Sequence, residues 1–386
     1  MRSKQRILIL ATTASMIKQF NMHNIKILQS LGAEVHVGTN FSVPGTITSN
    51  ASSSLVTRLH GIGVATHQID FMRGIGTHQA NKKALNEVCE VIKQYKITGI
   101  HAHSPLGGII GRRAAHKMGI KIIYTAHGLQ FFKGGPLRDW FFFFPVEWFY
   151  AHWTDALVTI NTDDYNISKI LPVKNRYYIP GVGIDFKRVQ RITTKEREYL
   201  RVKTREKLGI KNNDFLIISV GELSKRKNHA SIIKAIKKIN DPHIKYVIAG
   251  IGREKENLLQ LIKRFGFEKR VILLGYIENL DGLYFAGDLN AFVSKREGLG
   301  IGGLDGVAHG LYILGNGNTG MKDYINVPQN GLLVKHPNSI NEIADDILEI
   351  KNRQLKVIKD SSVEKFDHSN VDNIMKKIYI KEFFGK

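Results

Sequence analysis

Between Ser294 and Gly310 the chain reads Ser-Lys-Arg-Glu-Gly-Leu-Gly-Ile-Gly-Gly-Leu-Asp-Gly-Val-Ala-His-Gly, with two carboxylates, Glu297 and Asp305, separated by seven residues across a glycine-rich turn. An apolar strand precedes the turn and a helix follows it. In that setting the backbone N–H groups of Gly298 to Gly303 can point at an anion, and the helix dipole adds positive potential. The pattern predicts a phosphate cradle that needs no metal, with Glu297 at its mouth and Asp305 one to two turns into the helix. A plain glycine-rich turn with solvated carboxylates is the competing reading.

Other chemistries find less support. The loop after the first strand, Thr12-Thr13-Ala14-Ser15-Met16, contains no glycine, so the fingerprint that brings a backbone close to a dinucleotide pyrophosphate is missing where it belongs. Gly250-Ile251-Gly252 follows a strand, but Lys255 stands where the third glycine should be, and a tight turn is expected there instead. Neither Asp-x-Asp nor His-Glu-x-x-His occurs, so the usual carboxylate handles for a divalent ion are absent. His101 and His103 alternate on one face of a strand and His127 ends the next, but without a carboxylate or cysteine partner they do not make a metal site. We expect no metal and no cofactor. The single cysteine, Cys89, can form no intramolecular disulfide, which fits a reducing compartment.

The elements that must position these residues are strands alternating with helices. Arg6 to Thr12 reads as a strand, Met16 to Leu31 as one helix stopped by Gly32, and Glu34 to Gly38 as a second strand. Thr39 to Gly63, rich in Ser, Thr and Gly, is expected to be loop. Strands follow at Ala65 to Asp70, Gly99 to Ser104, Lys121 to His127 and Ala156 to Asn161. After a basic, polar stretch from Phe186 to Lys207 the pattern restarts, with strands at Phe215 to Gly221, Lys245 to Gly250, Val271 to Tyr276, Leu289 to Ser294 and Tyr312 to Gly315. Two such arrays in 386 residues predict an α/β protein of two doubly wound domains, with ligands in a cleft beyond the carboxyl ends of the strands. The boundary is expected near Asp185.

The start of the chain, basic and then apolar from Ile7 to Ala11, imitates a signal peptide but is too short and reads as a buried strand. The most apolar run, Trp140 to Phe149, is interrupted by Pro145 and Glu147 and falls far below the ~20 residues of a spanning helix. The net charge of +22 is shared by both halves of the chain. Spread positive charge attracts polyanions in general, and without a recognition motif no nucleic acid is expected as a partner.

The Glu297 to Asp305 segment resembles the Glu-x7-Glu motif of the retaining glycosyltransferases of family 4, enzymes of two facing Rossmann-like domains (the GT-B fold). Val220-Gly-Glu-Leu-Ser-Lys-Arg-Lys227-Asn-His is similar to that family's phosphate-binding turn, Leu274-Gly-Tyr276 to its base-contacting loop, and Pro180-Gly-Val-Gly-Ile-Asp185 to its interdomain junction. Tyr124-Thr-Ala-His127-Gly128, followed by Phe132-Lys133-Gly134, resembles a subgroup that builds bacterial capsular and exopolysaccharide repeat units. The resemblance implies an acceptor domain over 1–185, a nucleotide-sugar domain over 186–365, and a tail, 366–386, that crosses back onto the first domain. It further implies transfer of a sugar, with retention, from a nucleotide-sugar donor of the UDP type. On this pattern Lys227 and Arg226 bind phosphate, Tyr276 meets the base, and Gly298, Leu299, Gly300 and Ile301 line the cradle. Glu297 contacts the donor sugar hydroxyls, Asp305 the ribose, and His127 borders the donor sugar. Breaking the bond to the diphosphate puts negative charge on phosphate oxygen, and without a metal these groups must neutralise it.

Three departures from the pattern stand out. Asp305 replaces the second glutamate and is one carbon shorter, Glu222 stands where many relatives carry a phosphate-binding arginine, a repulsive choice unless Lys225 or Arg226 pairs with it, and the first loop lacks the paired glycines seen in many relatives. A catalytically weak scaffold subunit of a polysaccharide-synthesis complex is therefore the alternative function. On the acceptor side, His103 and Lys133 are the expected contacts for a polyprenyl diphosphate-linked saccharide. The run from Trp140 to Phe149, beside Arg138, reads either as core packing or as an aromatic helix dipping into the bilayer interface, with Phe142 and Phe143 the residues to replace as a test. The corresponding location is the cytoplasm, peripherally attached to the inner face of the cell membrane.

Overall fold

The computed structural model describes residues 4–132, 135–357 and 361–385. The chain divides into two compact units, Met1–Gly183 with His368–Lys386, and Ile184–Asp367. In the first unit seven parallel strands pair in the order β3-β2-β1-β4-β5-β6-β7. They are β1 (Arg6–Leu10), β2 (Glu34–Thr39), β3 (Ala65–Gln68), β4 (Gly99–His103), β5 (Lys121–Ala126), β6 (Ala156–Thr159) and β7 (Asn175–Tyr178). The second unit repeats this winding with six: β10-β9-β8-β11-β12-β13. These are β8 (Phe215–Val220), β9 (Ile244–Ala249), β10 (Val271–Gly275), β11 (Leu289–Phe292), β12 (Ile313–Asn316) and β13 (Gly331–Val334). Helices cover both faces of each sheet, which is why the central strands are apolar on both sides: Ile7 to Leu10 and Leu216 to Ile218 are wholly buried.

Two edge strands, β7 and β13, add to those expected from the sequence, and three further segments differ from that expectation. The stretch Thr39 to Gly63 is not all loop, because Ser49–Gly61 forms a helix capped by Thr48, whose hydroxyl accepts the Ala51 N–H, and anchored by buried Leu55 and Leu59. Met16 to Leu31 is two helices, Ala14–Phe20 and Met22–Ser30. They part at buried Asn21, whose side-chain amide donates to the Met16 carbonyl at 3.1 Å. The basic stretch after Asp185 is also helical, over Phe186–Arg191 and Thr194–Lys207. Its charge is structural: Arg201 and Arg205 donate to the carbonyls of Phe285, Ala286 and Gly287 and pair with Asp288.

The last helix, His368–Phe383, belongs to the first unit and packs on the helix Met22–Ser30 and on β5. The Tyr177 hydroxyl donates to Glu382 at 2.5 Å and Lys121 to the Glu382 carbonyl at 2.7 Å. The Phe383 ring lies so close to Gly99 that a Cβ there would meet it at 2.7 Å.

Helix Leu137–Ala151 carries the aromatic run with Pro145 inside it. Trp140, Phe143 and Phe144 pack on the core, whereas Phe141 and Phe142 are exposed. Of the two residues named for replacement, Phe142 is therefore on the exposed side and Phe143 is not, since neighbouring residues on a helix point 100° apart. Arg112, wholly buried on the helix Pro105–Met118, clamps this helix through two bonds to Glu147 at 2.5 and 3.2 Å, with the Tyr124 ring 4.3 Å from its guanidinium. Among the described residues no helix is long and apolar enough to cross a membrane.

Candidate active site

In a doubly wound sheet the strand order reverses at one point, and the loops there part to leave room for a ligand. In the second unit that point lies between β8 and β11. The loop after β8 carries Arg226 and Lys227, and the loop after β11 carries Glu297. Backbone bonds knit the two loops, with Lys295 N–H donating to the Arg226 carbonyl at 2.8 Å. The Lys227 ammonium donates to Glu297 Oε1 at 2.7 Å and Arg226 to the same oxygen at 2.8 Å. Lys227 also sits 4.3 Å from the centre of the Phe292 ring. Burial pushes the Glu297 carboxyl up, but the two cations outweigh it and hold it below the usual range. Burial pulls the Lys227 ammonium down, against the opposing pull of Glu297. Three residues assigned to the donor from the sequence thus form one ion cluster, in which Arg226 pairs with Glu297.

The glycines at 250 and 252 have a packing role. A Cβ on Gly250 would stand 1.8 Å from the Gly221 carbonyl oxygen, and one on Gly252 2.3 Å from that of Leu223. Only glycine lets the end of β9 support the turn that carries Lys227. Tyr276 follows β10, directly after Gly275, whose carbonyl accepts the Gly250 N–H at 2.7 Å. It is therefore at the same carboxyl edge of the sheet.

The glycine-rich turn enters the helix Ile301–Ala308 through Gly300, which has φ 78° and the Met321 side chain 3.0 Å from where a Cβ would stand. Tyr324 and Tyr284 hold the carbonyls of Gly300 and Gly302 at 3.1 and 3.0 Å. The amide cradle is narrower than the sequence suggests: the Gly303 N–H already donates to the Gly300 carbonyl at 2.8 Å, a tight three-residue bond that satisfies one of the helix's otherwise open donors. Gly298, Leu299, Gly300 and Ile301 precede that bond.

Asp305, half-buried, lies on the helix beyond. Burial pushes its carboxyl up to about 6, with Asp185 and Asp281 adding to the rise and His309 and Arg188 opposing it. No described side chain hydrogen-bonds this carboxylate. Asp281 next to it is fully occupied, by Arg188 at 2.8 and 2.9 Å and by His309 Nε2 at 2.9 Å, and its carboxyl is held far below the usual range by these bonds. Asp281, His309, Tyr284 and Tyr324 were not singled out from the sequence, where no spacing ties them to the glycine motif.

In the first unit the order reverses between β1 and β4, and the histidines stand beside that point. The His101 and His103 rings share a face, 4.1 Å apart. His101 bonds the Tyr379 hydroxyl at 2.7 Å and the Thr125 hydroxyl at 2.8 Å. His103 Nδ1 meets His127 Nε2 at 3.0 Å, while His103 Nε2 is buried without a partner. Burial pulls His101 down to about 3 and His127 to about 4, and drives His103 well below its ordinary value, with neighbouring histidines adding to the effect on His101 and His103. All three are neutral imidazoles at neutral pH, able to position a hydroxyl but not to act as cations.

A cavity at this edge is lined by His103, Phe20, His23, Thr125, Asp372 and Met375, among others, with His23 Nδ1 2.8 Å from Asp372. Ser104, at the end of β4, adopts φ 65°, a conformation rare for non-glycine residues and found at functional sites. Nothing in the sequence marks it. Lys133 lies outside the described residues, as does Gly134.

Two tandem parallel doubly wound units, with a Lys-Arg-Glu ion cluster at the strand-order reversal of the second, define an α/β protein of the class that binds ligands at such a reversal. The comparisons make this specific. Residues 17–165 match the family "Glycosyl transferase 4-like domain" and residues 201–364 match "Glycosyl transferases group 1". EpsD of Bacillus subtilis (strain 168) is 29% identical over 86% of this chain and 84% of its own. An Escherichia coli UDP-Gal:alpha-D-GlcNAc-diphosphoundecaprenol alpha-1,3-galactosyltransferase is 26% identical over 79% of this chain and 80% of its own. Among solved structures, sucrose-phosphate synthase of Thermosynechococcus elongatus shares the fold with a TM-score of 0.77 at 17% identity, over 99% of this chain and 100% of its own. Anabaena HepE in complex with UDP and glucose does so at 0.70 and 18%, over 98% and 95%. The chain belongs to the family 4 glycosyltransferases of the GT-B fold.

Proposed function

We propose that this glycosyltransferase moves a sugar from a UDP-sugar to a polyprenyl diphosphate-linked saccharide, with retention and without a metal, in the assembly of a capsular or exopolysaccharide repeat unit at the inner face of the cell membrane. The observation that carries the reading is the Glu297 cluster: two cations and a carboxylate meet where a diphosphate and its sugar would lie. Names among the relatives support the substrate classes, since the Escherichia coli enzyme uses UDP-Gal and a diphosphoundecaprenol-linked sugar and HepE was solved with UDP-glucose.

In this reading the first unit serves the acceptor and the second the donor. Lys227, Arg226 and the amides from Gly298 to Ile301 hold the diphosphate, Tyr276 flanks the base, and Asp305 takes the ribose hydroxyls. Glu297, released by the arriving phosphate, accepts hydrogen bonds from the donor sugar. His103 and His127, with Lys133, order the acceptor hydroxyl and the donor sugar. The bond from the anomeric carbon to the diphosphate breaks with its electron pair passing to phosphate oxygen. The acceptor oxygen bonds to the same face of that carbon, and its proton passes to the departing phosphate, where Lys227 and Arg226 compensate the charge.

Thermal-shift and calorimetric binding against UDP-, GDP- and ADP-sugars, without and with a chelator, tests the donor and the metal. Stabilisation by one UDP-sugar, unchanged by chelator, is expected. The configuration of the product formed on a lipid-linked acceptor, read by NMR, tests retention, and an inverted linkage would refute the same-face step. Binding without any turnover on such acceptors would favour the scaffold alternative.

A further inference from the structure

The helix Ile301–Ala308, which carries Asp305, ends at His309, and this buried ring is held from both sides. Its Nδ1 lies 2.7 Å from the Asp305 carbonyl oxygen and its Nε2 lies 2.9 Å from Asp281 Oδ1. A carbonyl oxygen and an ionised carboxylate only accept, so each ring nitrogen must bring a hydrogen. A neutral imidazole has one N–H and cannot make both bonds. The ring that fits the two acceptors is the imidazolium.

Its surroundings favour that charge. The ring stacks on Tyr284, with centroids 4.7 Å apart, and aromatic faces attract a cation. It stands at the carboxyl end of a helix, where the last carbonyls carry partial negative charge. Asp281 comes from a separate helix, Asp281–Ala286, and is itself fixed by Arg188 of the helix Phe186–Arg191. Three elements of the second unit thus hold one ring in one charge state.

The group that this charge reaches is the Asp305 carboxyl, four residues earlier and so on the same side of the helix. The other ionisable groups around that carboxyl are Asp185 and Asp281, which disfavour its ionisation, and Arg188, which favours it less than His309 does. Tyr284 and Tyr324 also face it, but their hydroxyls are spent on the carbonyls of Gly302 and Gly300. His309 is therefore the main offset to the burial of Asp305.

We propose that His309 is a positioning residue for donor binding: as an imidazolium it keeps the Asp305 carboxylate ionised, and so able to accept the ribose hydroxyls. The purpose rests on the proposed contact between Asp305 and the ribose, whereas the charge coupling is readable without a ligand.

Calorimetry of UDP-sugar binding to the full chain from pH 5 to pH 8.5, with melting curves in parallel, is the test. In His309→Gln the midpoint of the pH dependence should move up by about one pH unit, as loss of a nearby unit charge requires. The variant should then bind about fivefold more weakly than wild type at pH 6 and equally at pH 8.5. His309→Lys should bring the midpoint back, and in an Asp305→Asn background His309→Gln should change affinity less than about twofold. In the melting curves, the pH at which the advantage of Asp305→Asn over its parent stops growing should rise by about one unit in the His309→Gln background. Nitrogen NMR of the wild type, with the His309 ring assigned through its contact with Tyr284, should show both ring nitrogens protonated at pH 7. An unchanged midpoint in His309→Gln, whatever its melting temperature, would overturn the proposal, and so would a ring nitrogen without hydrogen. If Asp305→Asn binds a UDP-sugar as wild type does, the ribose contact fails, and the melting series alone upholds or overturns the coupling.

Discussion

Replacing Asp305 by asparagine separates a functional carboxylate from a structural one, because the two effects have opposite signs. The carboxyl is raised from its ordinary 3.8 to about 6 by burial. The folded protein therefore holds this proton more tightly than the unfolded chain, and wild-type stability falls as pH climbs from about 4 to about 6. That displacement corresponds to at most ~3 kcal/mol at neutral pH, reduced by the partial exposure of the side chain. Asp305→Asn carries no charge, so it should melt higher than wild type above pH 6, by an amount that vanishes near pH 4. Donor binding should move the other way. Two ribose hydroxyls on a carboxylate contribute about 1.5–3 kcal/mol, so the variant should bind a UDP-sugar about 10- to 150-fold more weakly. Wild-type affinity should fall roughly tenfold between pH 8 and pH 5, since only the ionised form accepts both hydroxyls, and the asparagine variant should lose this dependence. Asp305→Glu should retain binding. Calorimetry across that pH range, with melting curves in parallel, reads both effects. Unchanged affinity in the asparagine variant, or a pH dependence that survives in it, would remove Asp305 from the ribose.

The Glu297 cluster predicts strong coupling: Lys227→Met and Glu297→Gln should each cost about 2–4 kcal/mol in denaturant unfolding, and the double variant at least ~1 kcal/mol less than their sum. Additive costs would mean that the 2.7 Å contact contributes nothing. His101, His103 and His127 have pKa values depressed below their ordinary 6.5. Their contribution to stability is therefore complete above about pH 6.5 and is lost as pH falls toward 4, because the unfolded chain takes up the protons first. His101→Asn should flatten this acid slope in a pH series of melting temperatures, at a cost in stability from the lost Tyr379 and Thr125 bonds. Gly250→Ala should cost about 3 kcal/mol and weaken UDP-sugar binding, because the added Cβ displaces the turn that carries Lys227. Unfolding that tracks wild type would show that the turn yields freely.

Interior strands were the most legible part of the chain, since parallel strands buried on both faces must be continuous apolar runs, as Ile7 to Leu10 is, whereas the edge strands β7 and β13, only partly buried, were missed. Helices that owe their existence to packing were harder to see. Ser49–Gly61 has a run of poor helix formers and is held by Leu55, Leu59 and the Thr48 cap, a balance that propensity alone places with loops. The glycine motif announced itself because its residues are contiguous. Its supports did not, because Tyr284, Tyr324 and Asp281 reach it from separate elements. On the aromatic helix, composition showed a run of phenylalanines but could not tell Phe142 from Phe143, which only the rotation of the packed helix decides.

In the proposed donor site the carboxylate of Glu297 engages the same two cations that a diphosphate would take. Any anion entering must displace that carboxylate from Lys227 and Arg226 together. Small ions that offer Glu297 nothing in exchange gain little by doing so, which discriminates against the ordinary anions of a cell without any steric barrier. A nucleotide diphosphate that carries a sugar offers the displaced carboxylate a new set of hydroxyls. On the proposed mechanism that compensation is gone once the sugar has been transferred, so Glu297 competes again for the cations assigned to the diphosphate and favours release of the spent nucleotide.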